Sequence, residues 1–179
     1  MTIEARPSVG TPTTAPGPAP RVRRQPLSAT QLWVSLASLF AGGIHLAVTP
    51  EHLEHWWVFG TFFVVTGVFQ LGFAAVVLRR TSWPVALTGI VVNLGIVLIW
   101  VVSRTRGLPI TPPEDITRHE GTHLIEGVGP ADLAATGAEL VVVCLLVTFL
   151  PPRMRRVTVN VLLAIGVGLW ALRLSGVLG

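Results

Sequence analysis

Apolar residues in this chain do not alternate with polar ones; they come in long runs divided by short polar stretches. Five runs reach spanning length: residues 28–48, 56–78, 83–102, 131–150 and 157–178. Each is close to the ~20 residues a helix needs to cross the hydrocarbon core of a bilayer. That core offers no hydrogen-bond partners, so a spanning backbone must be helical or part of a closed barrel. Barrel strands alternate apolar and polar positions, and these runs do not. The pattern predicts an all-α fold, a polytopic membrane helix bundle of about five transmembrane helices.

The segments outside the runs complete the organisation. Residues 1–27 are rich in Pro, Thr and Ala and have little to bury, so they are expected to form a disordered cytoplasmic tail. Residues 28–179 make the transmembrane domain, with an outer loop at 103–130. The stretch before the first run is long for a secretory leader and no A-x-A-like site follows that run, so the run is expected to remain as a helix.

Composition agrees with a lipid environment. Hydrophobic residues are 51% of the chain and charged residues 12%, about half the roughly 25% usual in soluble domains. The basic residues are all Arg and flank the apolar runs without forming a continuous patch, which argues against a nucleic-acid partner and for the bilayer. Arg6, Arg21, Arg23, Arg24, Arg79, Arg80, Arg153, Arg155 and Arg156 fall on one side of the spans. The positive-inside rule assigns that side to the cytoplasm, giving a plasma-membrane protein with its N-terminus inside and its C-terminus outside. The acids, Glu4 excepted, fall toward the other side. Trp56, Trp57, Trp83 and Trp100 sit at span ends, as interfacial aromatics do. Cys144 stands alone, so no disulfide framework is expected.

All five histidines share the outer side. In the segment 45–57, HLAVTPEHLEHWW, the sequence predicts a helix end, a tight turn and a new helix. Thr49 suits an N-cap, Pro50 the first helical position, and Glu51 the first turn, where the helix dipole favours an anion. His45, His52 and His55 then flank one turn. In the outer loop, His119-Glu120-Gly121-Thr122-His123 fits H-E-x-x-H, the zinc-protease helix pattern, and Glu126 adds a carboxylate on the same face. A loop of about thirty residues cannot build a protease cleft, so shared metal binding is the better use of these residues, with copper or zinc the metals such donors suit. The plainer account is that His and Glu occupy the polar headgroup zone.

Four polar residues lie within the runs: Gln70, Asn93, Glu139 and Arg173. At 1.5 Å per residue, Glu139 is roughly 12 Å below the outer end of its helix. An ionisable group at that depth must be paired or neutralised and is a candidate functional site. Hydrogen bonds among Gln70, Asn93 and Glu139 would serve as structural glue, and Arg173 is a partner of matching depth. Small residues on the fourth run (Ala134, Ala135, Gly137, Ala138) and Gly60 with Gly67 on the second suggest close helix contacts.

Several stretches resemble a family of small, uncharacterised multi-spanning membrane proteins of actinobacterial type: GIHLAVTPEHLEHW (43–56), GxFFxxxGxxQ (60–70), WxVSRTRGLP (100–109) and EGVGPADLAATGAEL (126–140). The resemblance implies a plasma-membrane protein, draws attention to His45, Glu51, His52, Asp132 and Glu139, and implies no known activity. The expected role is non-enzymatic, with a divalent transition metal bound on the outer face. The rivals are an accessory subunit docking a membrane-protein partner or a second copy, and a small transporter or proton-coupled carrier using Glu139.

Overall fold

The computed structural model describes residues 26–108, 110 and 127–176. Most of the N-terminal tail, the loop with His119, His123 and Glu126, and the last three residues lie outside the described residues. Within them the chain forms α1 (Ala29–His55), α2 (Trp57–Arg79), α3 (Trp83–Thr105), α4 (Pro130–Leu146) and α5 (Pro152–Leu174), with a 3₁₀ turn at Val147–Phe149 after α4. There is no strand among the described residues. All five helices are long and apolar enough to cross a membrane.

The expected turn at Thr49-Pro50 is not there. α1 runs through Pro50 and ends at His55, and the chain reverses at Trp56, whose backbone is extended (φ −164°, ψ 134°). Thr49 is therefore not an N-cap, and Glu51 lies inside α1. Pro50 deprives the Leu46 carbonyl of its helical donor, while the neighbouring Thr49 hydroxyl donates to the His45 carbonyl at 2.8 Å. Leu53 then packs over Gly60, where any Cβ would collide with its side chain. That contact accompanies a reversal at Trp56, beyond the turn expected at Thr49-Pro50.

α1 begins with a capping box: the Ser28 hydroxyl accepts from the Gln31 amide at 3.1 Å, and the Gln31 side chain accepts from the Ser28 amide at 2.9 Å. The same Gln31 donates to the Val77 carbonyl and the Thr81 hydroxyl of the next hairpin arm. Farther along, Ser35 donates to the Ala74 carbonyl at 3.1 Å and Ser38 to the Gln70 carbonyl at 2.9 Å. Between them and the turn, Gly42 meets Gly67: a Cβ on Gly42 would lie 2.9 Å from the Gln70 Cβ and 3.1 Å from the Gly67 carbonyl. α1 and α2 are thus joined by small residues and by side chains that donate to backbone carbonyls. In lipid, where apolar surface gives helices no reason to associate, packing and hydrogen bonds of this kind hold them together.

α4 packs between α1 and α3, and α3 closes against α2 at the end of the bundle that carries Arg79 and Arg80. There Phe73 and Leu146 fill the space over Gly89, and Val34, Val77, Ile90 and Val142 complete a dry core. Of the small residues on α4, Ala135 is buried, Ala134 and Ala138 are half-buried, and Gly137 is exposed with open space beside it. Gly60 and Gly67 do make close approaches. No residue in the most apolar stretch of α5 is buried within the chain.

Candidate functional site

At the opposite end of the bundle the helices part and leave a cavity of about 470 Å³. α2 contributes Phe59, Phe62 and Phe63, α3 contributes Ile96, Ile99 and Trp100, and α1 and α4 bring the polar groups. The volume falls within the range of small-molecule sites, which are mostly apolar with a few placed polar groups.

The central polar feature is a pair formed by α1 and α4. His45 Nε2 lies 2.8 Å from Glu139 Oε1, and the two residues are 5% and 1% exposed. Local sequence explains their meeting. His45 lies on the α1 face that carries Ser38, Gly42 and Thr49, and Glu139 lies two turns below Asp132 on α4, with Thr136 between. Both residues line the cavity. One proton must occupy the hydrogen bond, whichever partner holds it. The second ring nitrogen, Nδ1, is buried and has no partner among the described residues. The same holds for Nε1 of Trp100, another wall residue.

A second ion pair stands nearer the end of the bundle. Arg104 of α3 donates to Asp132 of α4 at 2.9 Å, and the same carboxylate oxygen accepts from the Gly129 amide at 2.9 Å. It therefore ties α3 to the first turn of α4. His52 also lines the cavity. Its Nδ1–H donates to the Val48 carbonyl at 2.8 Å, and its ring lies over Phe63 with centroids 4.0 Å apart. His55 is exposed at the rim.

The sequence expectations divide accordingly. His45, His52 and His55 line one cavity, while no group of three or more His, Cys, Asp or Glu side chains placed to hold a metal is found among the described residues. His119, His123 and Glu126 lie outside those residues. Gln70 and Asn93 are bonded to each other, Gln70 Nε2 donating to Asn93 Oδ1 at 2.9 Å. The single Ser38 hydroxyl hydrogen is shared between the Gln70 carbonyl and Gln70 Oε1, 2.9 and 2.6 Å away, and Asn93 donates to the Gly89 carbonyl at 2.7 Å. Glu139 turns to His45 instead of joining this chain. Arg173 lies on α5, and its side chain is outside the description. Sequence reasoning did not anticipate Trp100 as a wall residue or the Arg104–Asp132 tie. Nothing local marks them, because they meet across a long connection.

The geometry defines a polytopic helical membrane bundle with a polar pair buried against a cavity. No family model matches the chain, and comparison with curated proteins and with solved structures gives no match either.

Proposed function

We propose that this chain is a plasma-membrane binding protein whose cavity takes up a small, largely apolar molecule and recognises its polar group through the His45–Glu139 region. The observation that carries the reading is a buried imidazole–carboxylate pair against a cavity of about 470 Å³ with aromatic walls. A pair serving only to fix the bundle gains nothing from an adjoining cavity, and packing voids are costly. On this reading the N-terminus is cytoplasmic and the cavity sits in the outer half of the membrane, as the arginine distribution supports.

The test is to purify the protein from its own membrane and identify small molecules that leave on solvent extraction. One compound per chain is expected, and Ala135→Phe, which fills the cavity, should abolish it. If neither protein carries a compound and no member of an apolar small-molecule panel raises the wild-type melting temperature, the reading fails.

The presence of His45, His52 and His55 in one cavity wall supports a second reading, binding of copper or zinc at the same end. Metal analysis of the wild type against the His52→Ala/His55→Ala double variant tests it; no bound metal in either ends it.

A further inference from the structure

α5 is the helix that the rest of the chain does least to hold. Near its start Met154 and Leu162 pack against the core cluster that includes Val77, Ala86 and Leu150. Beyond Leu162 every described α5 side chain is exposed or half-buried, and Gly166 and Gly168 have open space beside them. Lipid chains cover such a helix, but they are as apolar as leucine and give it no reason to stay against its neighbours.

The first turns of α5 offer a different kind of contact. Arg153, Arg155 and Arg156 are exposed there, and Arg79 and Arg80 are exposed at the end of α2, on the same side of the bundle. None of these arginines pairs with an acid among the described residues. The acids of those residues, Glu51, Glu54, Asp132 and Glu139, belong to the opposite half. α5 has no acid in its first turn, so the positive end of its dipole adds to the arginines instead of offsetting them. This end is therefore a cationic face without a counter-charge among the described residues. A topology signal needs basic residues on one side of the membrane. It does not need them gathered on the helix that packing leaves unheld.

The depth of the face selects its counter-charge. Trp83, just after Arg80 in the chain, is 49% exposed at the start of α3, and an aromatic at a span end sits at headgroup level. The arginines are at span ends on the same side, level with lipid phosphates. We infer that this face binds anionic phospholipid headgroups and that the lipid so held keeps α5 against the bundle. The guanidinium groups take phosphate oxygens in pairs of hydrogen bonds. The acyl chains run along the exposed apolar side of α5, over Val159 and Leu163. Each basic residue near an anionic surface is worth about fivefold in affinity.

The full chain is placed in micelles with equal amounts of phosphatidylglycerol and phosphatidylcholine of identical acyl chains, and native mass spectrometry counts the lipid retained. Phosphatidylglycerol is expected to be retained about tenfold over phosphatidylcholine or better, and to raise the melting temperature. Arg153→Gln/Arg155→Gln/Arg156→Gln should lower that preference at least fivefold and lose the rise, with stability in phosphatidylcholine unchanged. Arg153→Lys/Arg155→Lys/Arg156→Lys should keep both, because the charge is kept. Equal retention of the two lipids by the wild type, or a glutamine variant with full preference, overturns the inference. Displacement of the lipid by millimolar inorganic phosphate would mark a site for a soluble anion and overturn it. Tighter retention of polyglutamate than of phosphatidylglycerol would assign the face to an acidic protein, with the same result. The wild-type comparison of the two lipids decides the point even where a variant does not fold.

Discussion

Removing one member of the His45–Glu139 pair should cost far more than removing both. His45→Leu leaves Glu139 at 1% exposure with its 2.8 Å partner gone. Stranding one member of a buried pair typically costs about 3–5 kcal/mol, because an uncompensated polar group stays behind. Glu139→Gln keeps an acceptor for an imidazole N–H and should cost about 1 kcal/mol, the scale of a single hydrogen bond. His45→Leu/Glu139→Leu removes the whole polar burden at similar volume, and such replacements are often neutral or stabilising. The double variant should therefore recover to within about 1 kcal/mol of the wild type, although its ligand site is lost. Unfolding in mixed micelles with increasing SDS, followed by circular dichroism, measures all four proteins. Single losses that simply add in the double variant would show that the two side chains do not interact, and would refute the reasoning. A His45→Leu protein as stable as the wild type would refute it equally.

The glycines give a second contrast. Gly42→Val should destabilise by at least ~1–3 kcal/mol, since its Cβ meets the Gln70 Cβ and the Gly67 carbonyl and backbone cannot move aside. Gly137→Ala, with nothing within 4 Å, should stabilise by about 0.5–1 kcal/mol through helix propensity alone; the same unfolding titration reads both. Gln70→Leu leaves Asn93 Oδ1 without its donor in a fully buried position and should cost about 1–2 kcal/mol. Pro50→Ala creates an amide that faces the Leu46 carbonyl within α1, so hydrogen exchange at residue 50 should be slow; rapid exchange would mean that a helix starts there, with its first amides unsatisfied. For orientation, cysteines introduced as Ser28→Cys or Ser175→Cys in a Cys144→Ser background report on opposite sides. A membrane-impermeant maleimide applied to intact cells should label position 175 and spare position 28, and the reverse pattern would invert the topology.

The five helices were legible because run length and uniform apolarity are dictated by the bilayer itself. The reversal after α1 was misplaced for an equally physical reason. Thr49-Pro50 carries a strong local start signal, but Leu53 over Gly60 is a contact between residues on both sides of the true turn, and local signals do not weigh it. The hairpin seam was legible, and Gly60 with Gly67 marks only the α2 part of it. Gln31, Ser35, Ser38, Gly42, His45, Thr49 and His52 step by four and three in alternation, the heptad spacing of a helix seam written in small and polar residues. On α2, Gly60, Phe63, Gly67, Gln70, Ala74 and Val77 continue the same rhythm. Reading only apolar residues for periodicity hides such a seam, because in lipid the contact face is the less apolar one. That His45 belongs to it while its ring turns to α4 could not be read from α1 alone.

The distribution of satisfied and unsatisfied groups then separates the two halves of the bundle. Toward the arginine-bearing end, Ser35, Ser38, Gln70 and Asn93 are buried and each is hydrogen-bonded. At the other end, His45 Nδ1 and Trp100 Nε1 are buried without partners among the described residues, and both residues line the cavity. A bilayer has no water to repair such omissions, so each unpaired group carries a cost of about 1–3 kcal/mol. A fold that finds a partner for the glutamine and the asparagine at its centre has the means to find one for an indole. Two nitrogens left unmatched among the described residues beside a cavity are tolerable only if their cost is small against the rest of the bundle, and useful only if something entering the cavity removes it. The unmatched groups thus mark the end of the bundle where binding energy is available, and the filled core at the other end supplies the rigidity to hold them there.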